Sequence, residues 1–300
     1  MVILKKVFFL LQSCKVYHDP ISLNEAANNT EDGYYKVTMH NGDEFIYERI
    51  ELNSDNNYIG FLVKDKKPVE TVLKSEEIKA RLREAGKRFW AGDNISEFIK
   101  DGEKQQLIDE LAPKFEDVLQ GLIIDTENDP NSNGTGKRLA KMYINELMAG
   151  RYDPMPKATA FPNDSMDRYE GMLVVRSELT SMCSHHHQIV KGVAYIGIIA
   201  ADKLIGLSKY TRIAQWCAER GTLQEELAND IAREIQKATD AEHLGVYVQA
   251  THGCVENRGV KAHSSLTQTT VLKGAFKDDA GTKKEFMDNI KLQQEYACGK

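Results

Sequence analysis

Residues 172–200 read MLVVRSELTSMCSHHHQIVKGVAYIGIIA, and this stretch does most to decide the fold class of the chain. Its two ends, 172–180 and 188–200, are rich in aliphatic and β-branched residues, a composition that favours strands. Two helical patterns follow and then two more strand patterns. The helices are predicted at about 209–219 and 223–238, and the strands at 245–250 and 265–272. This order predicts an α+β unit built on an antiparallel sheet.

The chain on either side of this unit follows other patterns. Alternation over 35–39, the turn dipeptide Asn41-Gly42 and a further run at 45–47 predict a β-hairpin near the start. Helical periods begin at Ser75 and recur downstream. The later helices are predicted over 106–122, over 137–149 with Gly150 as the stop, and over 282–292. We therefore expect a small β-rich module at 1–85 and a larger α+β domain at 86–295.

Composition limits the classes of function. The chain has 300 residues, 41% hydrophobic and 28% charged, with a formal net charge of -6. These values are those of an ordinary globular protein, and the acidic balance argues against nucleic acid as the main partner. A local anion pocket is still compatible with it.

Targeting signals are weak. The apolar run at 7–11 follows two lysines but is shorter than a secretory core, so it predicts a buried strand. Nothing later has the length of a membrane-spanning helix. The 5 cysteines are widely spaced, which favours free thiols in a reducing compartment, and we expect a cytoplasmic protein without a membrane partner.

Two cysteine and histidine motifs could share a metal ion. Cys183 and His186 are three residues apart, a span that a tight turn folds onto one ion. His252 and Cys254 follow a strand pattern, and they share a face if that strand extends so far. Zn²⁺ held by three protein ligands keeps an open position for water. Three of the candidates suffice, which leaves two histidines as general acids or bases.

Each of these motifs also has a purely structural explanation. The histidine run 185–187 could be a surface cluster, and free cysteines are usually inert core residues. Ser208 could cap a helix on which Lys209 and Arg212 form only a solvated basic face, although the same residues could bind an anion with help from Arg258. Glu225 fits a capping box that begins at Thr222, or it could contact a ligand at the mouth of a site.

Five ordered blocks resemble the motifs of the GTP cyclohydrolase I family. They are Cys183-x-His185-His186, Gly206-Leu207-Ser208-Lys209-x-x-Arg212, Gln224-Glu225, His252-x-Cys254-x-x-x-Arg258-Gly259, and the upstream run Thr135 to Tyr143. The resemblance covers about residues 105–295. It implies the tunnelling fold, in which antiparallel sheets with helices packed on one face close into a barrel around an oligomer axis.

The resemblance also implies an activity and a division of roles. Family members hydrolyse GTP at C8, release formate and form 7,8-dihydroneopterin triphosphate. Zn²⁺ would be held by Cys183, His186 and Cys254. The remaining roles are proton transfer by His185, His252 and Ser208, guanine recognition by Gln224 and Glu225, and triphosphate binding by Lys209, Arg212, Arg258 and Arg138. Family sites lie between subunits of a decameric ring, so Arg138 is expected to come from a neighbouring copy.

Three positions depart from the family pattern and keep alternatives open. Ser184 replaces a common glutamate, Gly253 a common aromatic residue and Gly136 a common proline. None is a metal ligand or a proton donor, but Ser184 affects the surroundings of the ligands. One alternative is a catalytically weakened GTP-binding or scaffolding protein of the same fold. Another is a structural zinc site closed by His185, His187 or His252 as a fourth ligand.

Overall fold

The computed structural model describes residues 3–9, 15–17, 34–38, 44–52, 58–62, 73–164 and 168–298. The chain divides into two compact units, one of Met1–Glu77 with Asp109–Gly136 and the other of Ile78–Ile108 with Lys137–Lys300. The predicted boundary near residue 85 stays a prediction.

The first unit contains a five-stranded antiparallel sheet. Its strands are β1 (Ile3–Phe9), β2 (Lys15–Tyr17), β3 (Tyr34–Thr38), β4 (Glu44–Leu52) and β5 (Tyr58–Leu62), in the order β2-β1-β3-β4-β5. The side chains of Tyr35 and Ile50 are buried in it. The predicted turn at Asn41-Gly42 lies outside the described residues, but β3 and β4 on its two sides pair as a hairpin requires.

The middle of the chain is helical, and one predicted boundary there is wrong. The elements are α1 (Lys74–Glu84), α2 (Glu103–Gly121), α3 (Thr135–Met142), a π-helical segment Tyr143–Leu147 and α4 (Ala149–Tyr152). Gly150 was expected to end a helix but lies inside α4. A glycine is required here because the backbone packs closely against Trp216: a Cβ at position 150 would lie 1.9 Å from the Trp216 carbonyl oxygen.

The second unit is built on a four-stranded antiparallel sheet of order β11-β10-β8-β7. Its strands are β7 (Met172–Met182), β8 (Ile189–Ile199), β10 (Leu244–His252) and β11 (Thr267–Lys273), while β6 (Ala160–Pro162) pairs separately with β9 (Lys203–Ile205). The helices are α5 (Leu207–Ala218), α6 (Gln224–Thr239), α7 (Gly253–Glu256), α8 (Ala275–Asp278) and α9 (Ala280–Cys298). The predicted α+β class and antiparallel sheet are confirmed.

Alternation along the central strands gives this sheet two covered faces. In β8, Ala194, Ile196 and Ile198 pack into the core with α5 and α6. On the other face, the cross-strand partners Gly197 and Gly245 leave a depression without side chains. The fully buried rings of Phe276 and Phe286, 5.2 Å apart and edge to face, fill it. The last two helices are thereby anchored to the sheet.

The starts of α5 and α6 differ from the predicted caps. Helix α5 begins at Leu207 with Gly206 at the cap position, so Ser208 is already inside the helix and makes no side-chain cap bond. Helix α6 begins at Gln224 with Leu223 as its cap residue, again without a side-chain cap bond. Thr222 instead donates its hydroxyl to the Glu226 carboxylate at 3.2 Å. The capping box is therefore absent, and Glu225 has no cap role.

In the described part of the chain, no helix combines the length and the apolar character needed to span a bilayer.

Candidate active site and metal centre

Three of the predicted metal ligands lie together. One ligand atom each from Cys183, His186 and Cys254 falls within 4.8 Å of the other two. Cys183 is buried, Cys254 is half-buried and the His186 ring is exposed, so the group opens to solvent on the side of the histidine. Two sulfur atoms and one imidazole nitrogen form a donor set that suits Zn²⁺. The residues present thus fit the metal that the sequence predicted.

Strand pairing brings these ligands together. Met182 pairs with Ile189 at the end of the β7-β8 hairpin, and the tip is closed by the bond from Cys183 N to Gln188 O at 2.9 Å. Strand β10 lies on the other side of β8, with His252 opposite Val190. The end of β10 therefore places the motif of His252 and Cys254 beside the tip of the β7-β8 hairpin.

Cys254 lies with the other two candidate ligands, as expected, but not by the predicted geometry. Strand β10 ends at His252, and Cys254 lies in the first turn of the short helix α7. The orientation of the Cys254 thiol is therefore not set by the alternation of side chains along a strand. Packing of both cysteines against Val190 and Ala250 holds the pair instead.

Burial raises the pKa of Cys254, and the neighbouring Cys183 thiol raises it further because two adjacent thiolates repel each other. The charge of Arg258 acts in the opposite direction and lowers this pKa. A divalent cation between the sulfurs would offset the repulsion and favour both thiolates. The positive charge of Arg258 thus acts on one of the candidate metal ligands.

His252 lies beside the ligands with a defined partner. Its Nε2 is 2.7 Å from Oε1 of Gln224, whose side chain is buried. Burial lowers the pKa of His252, while the charges of Glu225 and Glu256 partly raise it. Glu225 is exposed at the start of α6 and therefore faces solvent near this histidine. Glu256, on α7, was missed by the sequence reasoning, although its spacing four residues after His252 was a usable signal.

His185 is exposed at the hairpin tip. Its Nδ1 lies 4.0 Å from the Cys183 sulfur, and its ring centre is 6.2 Å from that of His186. His187 points elsewhere, toward Tyr143, with ring centres 5.6 Å apart. The three consecutive histidines thus have three different surroundings, and only His186 belongs to the metal group.

Residues Ser208 and Lys209 are not brought to this cluster within one chain. The end of α5 lies at the end of β7, since Ser181 donates to the Ala218 carbonyl at 2.7 Å. Ser208 lies ten residues earlier in α5, about 15 Å back along the helix axis. There Leu207 shares a surface groove with residues 173–175 at the start of β7. Arg212 lies between the two ends, exposed.

Arg138 is exposed on α3. Its assignment to the triphosphate stays a prediction, as do the roles of Ser208, Lys209 and Arg212. One copy of the chain therefore places the candidate metal ligands with His185 and His252 at one end of the sheet, and Ser208 with Lys209 at the other.

Comparison with known proteins identifies the family. A family model described as GTP cyclohydrolase I matches residues 112–291, more than half of the chain. Proteins named GTP cyclohydrolase 1 are similar to it: that of Flavobacterium johnsoniae is 38% identical over 66% of this chain and 86% of its own length. The protein of Erwinia tasmaniensis is 37% identical over 64% of this chain and 86% of its own length. The protein of Aeromonas salmonicida is 35% identical over 62% of this chain and 85% of its own length. With a Cys-His-Cys group formed as its motifs predicted, the chain belongs to the GTP cyclohydrolase I family.

Proposed function

We propose that this chain is a zinc-dependent GTP cyclohydrolase that hydrolyses GTP at C8, releases formate and yields 7,8-dihydroneopterin triphosphate. The observation that supports this most directly is the group of Cys183, His186 and Cys254 with His252 next to it, in a chain of this family. No other triad of possible metal ligands occurs among the residues that the structure describes.

The proposed metal is Zn²⁺. Two cysteines and one histidine suit it better than the oxygen-seeking cations Mg²⁺ or Ca²⁺. When bound by three protein ligands, zinc lowers the pKa of water at its open position toward neutrality. Free cysteine thiols as ligands also suit a reducing compartment, and the location proposed is the cytoplasm.

The chain's own residues would handle protons and recognition. His252 is held with its ring beside the ligands, so it would pass a proton to the imidazole nitrogen of the guanine as that ring opens. His185 and Ser208 would serve the later steps on the ribose. Among the described residues, the Glu225 carboxylate makes no hydrogen bond or ion pair with the protein, so it is available for the N1-H and amino group of guanine.

The triphosphate would be bound by Lys209, Arg212, Arg258 and Arg138. Because Ser208 and Lys209 lie far from the metal ligands of their own copy, we propose that a neighbouring copy supplies them in a ring-shaped homo-oligomer, with ten subunits as the family implies. In the described part of the second unit, β7 and β11 are the outer strands of the four-stranded sheet, and each offers an unpaired edge to such a neighbour.

Turnover provides the first test. Zinc-loaded protein incubated with GTP should release formate and a pterin that fluoresces after oxidation. His185→Ala and His252→Ala should each retain zinc and lose turnover, with Lys237→Ala on the far part of α6 as a surface control. Absence of turnover in a metal-replete sample would refute the proposal, and loss of zinc in either histidine variant would refute the ligand assignment.

Subunit mixing tests the shared site. Cys183→Ala and Lys209→Ala should each be inactive alone. Co-assembled in equal amounts, the two variants should regain activity. About a quarter of the interfaces would then join a subunit with an intact Cys183 to a neighbour with an intact Lys209. If the mixture stays as inactive as its parts, both halves belong to one copy.

A second candidate function is GTP binding or scaffolding without efficient catalysis. The observation favouring it is Ser184, which stands between Cys183 and His185 where glutamate is common in the family. It predicts GTP binding that His252→Ala leaves unchanged, and no product from the wild-type protein. Calorimetry with GTP beside the formate assay separates the two candidates.

A further inference from the structure

The side chain of Gln224 occupies an unusual position at the start of α6. It is only 5% exposed, and its amide nitrogen lies within hydrogen-bonding distance of three acceptors. These are Val248 O at 3.3 Å, Thr267 O at 3.1 Å and Thr269 Oγ1 at 3.2 Å. Its oxygen lies 2.7 Å from His252 Nε2. Both ends of the amide are thus engaged within the protein.

The two carbonyl groups determine which way the amide faces. Carbonyl oxygens only accept hydrogen bonds, so the NH₂ end of Gln224 must face Val248 and Thr267, and Oε1 must face His252. These carbonyls belong to the neighbouring strands β10 and β11, whose ladder fixes them. Turning the amide over would place its oxygen against the two carbonyl oxygens, with the Thr269 hydroxyl as the one possible donor among these three groups, and would lose both hydrogen bonds to the carbonyls.

This orientation selects one tautomer of His252. Because Oε1 accepts, the nitrogen facing it must carry the proton, and in the neutral ring the lone pair is then on Nδ1. When the ring is doubly protonated, Nε2 still donates to Oε1. The hydrogen bond therefore persists through a proton transfer at Nδ1.

We infer that Gln224 is a positioning residue that fixes the tautomer and orientation of His252, so that Nδ1 is the atom that exchanges a proton with the substrate. The inference rests on the proposed function. It reassigns Gln224, which the family resemblance had placed at the guanine edge. Recognition of guanine then falls to Glu225, because the Gln224 side chain is only 5% exposed and both ends of its amide are already engaged within the protein, whereas Glu225 is exposed.

Steady-state kinetics of the zinc-loaded protein distinguish the two roles. Gln224→Met keeps the length of the side chain and removes every hydrogen bond. A general acid is worth about 10²- to 10⁴-fold, and we expect loss of its orientation to reduce kcat about 10- to 100-fold while KM for GTP changes little. Gln224→Glu, the second variant, keeps the volume but places a carboxylate oxygen against the Val248 and Thr267 carbonyls; this repulsion should displace the side chain from His252, so the same split is expected. Gln106→Met, the same substitution at an exposed position of α2, is the matched control and should stay near wild type.

A double-mutant comparison tests whether Gln224 acts through His252. In the zinc-loaded His252→Ala background, adding Gln224→Met should cause no further loss of residual turnover and no change in the Kd for GTP. A rise in KM with kcat preserved, or a weaker Kd in the His252→Ala background, would overturn the inference and return Gln224 to the guanine edge.

The tautomer provides a readout that needs no activity. With ¹⁵N-labelled histidine in the zinc-loaded protein above neutral pH, the His252 signals should show Nε2 protonated and Nδ1 unprotonated. Gln224→Met should yield a mixture of tautomers. If the wild type turns over no GTP, the proposed function fails, but this measurement still decides the role of Gln224; a wild-type ring protonated at Nδ1 would refute it.

Discussion

Adding one methyl group at position 245 should loosen the attachment of the last two helices to the sheet. In Gly245→Ala the new Cβ would lie 2.8 Å from atoms of both Phe276 and Phe286, where ordinary contacts begin at 3.4 Å. Both rings are fully buried, so neither has open space to move into. The cross-strand partner Gly197 is under the same rings and offers no relief unless they shift.

The cost follows from this overpacking. A forced shift of packed rings costs about 1–3 kcal/mol. For a unit of this size each kcal/mol lowers Tm by about 2–4 °C, so a drop of about 2–12 °C is expected. Scanning calorimetry at one fixed subunit concentration measures it, because assembly also shifts Tm.

Two further variants test whether overpacking of the phenylalanine rings causes the loss of stability in Gly245→Ala. Phe286→Leu removes part of the ring, so the double variant should lose less stability than the sum of the two single variants. Gly121→Ala is the control: it adds the same methyl group where nothing lies within 4 Å, and should lose no stability. An unchanged Tm in Gly245→Ala, or strict additivity with Phe286→Leu, would refute the reasoning.

Three further predictions concern titration and metal. Burial raises the pKa of the Cys217 thiol to about 12, so alkylation followed by peptide mass spectrometry should leave it unmodified at pH 8 until the protein is denatured. Burial, reinforced by the Asp153 charge, raises the pKa of Glu219 above its ordinary 4.5, so the folded state binds more protons and loses stability as pH rises from about 4.5. Glu219→Gln should therefore melt higher than wild type at pH 7 and equally at pH 4; a lower Tm at pH 7 would contradict this. Chelation of zinc should stop turnover while far-UV circular dichroism stays folded, because the cysteine pair packs on Val190 and Ala250; unfolding would instead indicate a closed structural site.

The sheet and helices of the second unit were located well because the strands are rich in aliphatic and β-branched residues and the helices repeat their buried residues every three to four positions. Strand β8 illustrates this: Ala194, Ile196 and Ile198 enter one core while Tyr195 enters the other. The burial of these side chains in two cores outweighs the intrinsic secondary-structure propensity of the individual residues. The short pair β6 and β9 was missed because strands of three residues carry no readable period.

The helix starts were predicted less well because local hydrogen bonding had to compete with tertiary contacts. Ser208 and Thr222 are good capping residues by type, yet neither caps its helix. Thr222 bonds to Glu226 instead, and Gly150, a helix stop by type, is required where the backbone meets Trp216. Residue type states what a side chain is able to do, while the packed surroundings decide which partner it finds.

The Cys-His-Cys group could be predicted from the sequence, and the separation of the other candidate residues from it could not, for one geometric reason. Cys183 and Cys254 are distant in sequence but are joined by the pairing of β7, β8 and β10, which a hairpin and a neighbouring strand make almost unavoidable. Ser208 and Lys209 are much nearer to Cys183 in sequence, yet β8 leads the chain to the opposite end of the sheet, and α5 begins there, beside the start of β7. A motif order read along one chain cannot show this separation, because it does not reveal which copy of the chain each motif faces. The distance along α5 is therefore the strongest structural support for the proposal that one subunit contributes the metal ligands with His185 and His252, and another contributes Ser208 and Lys209.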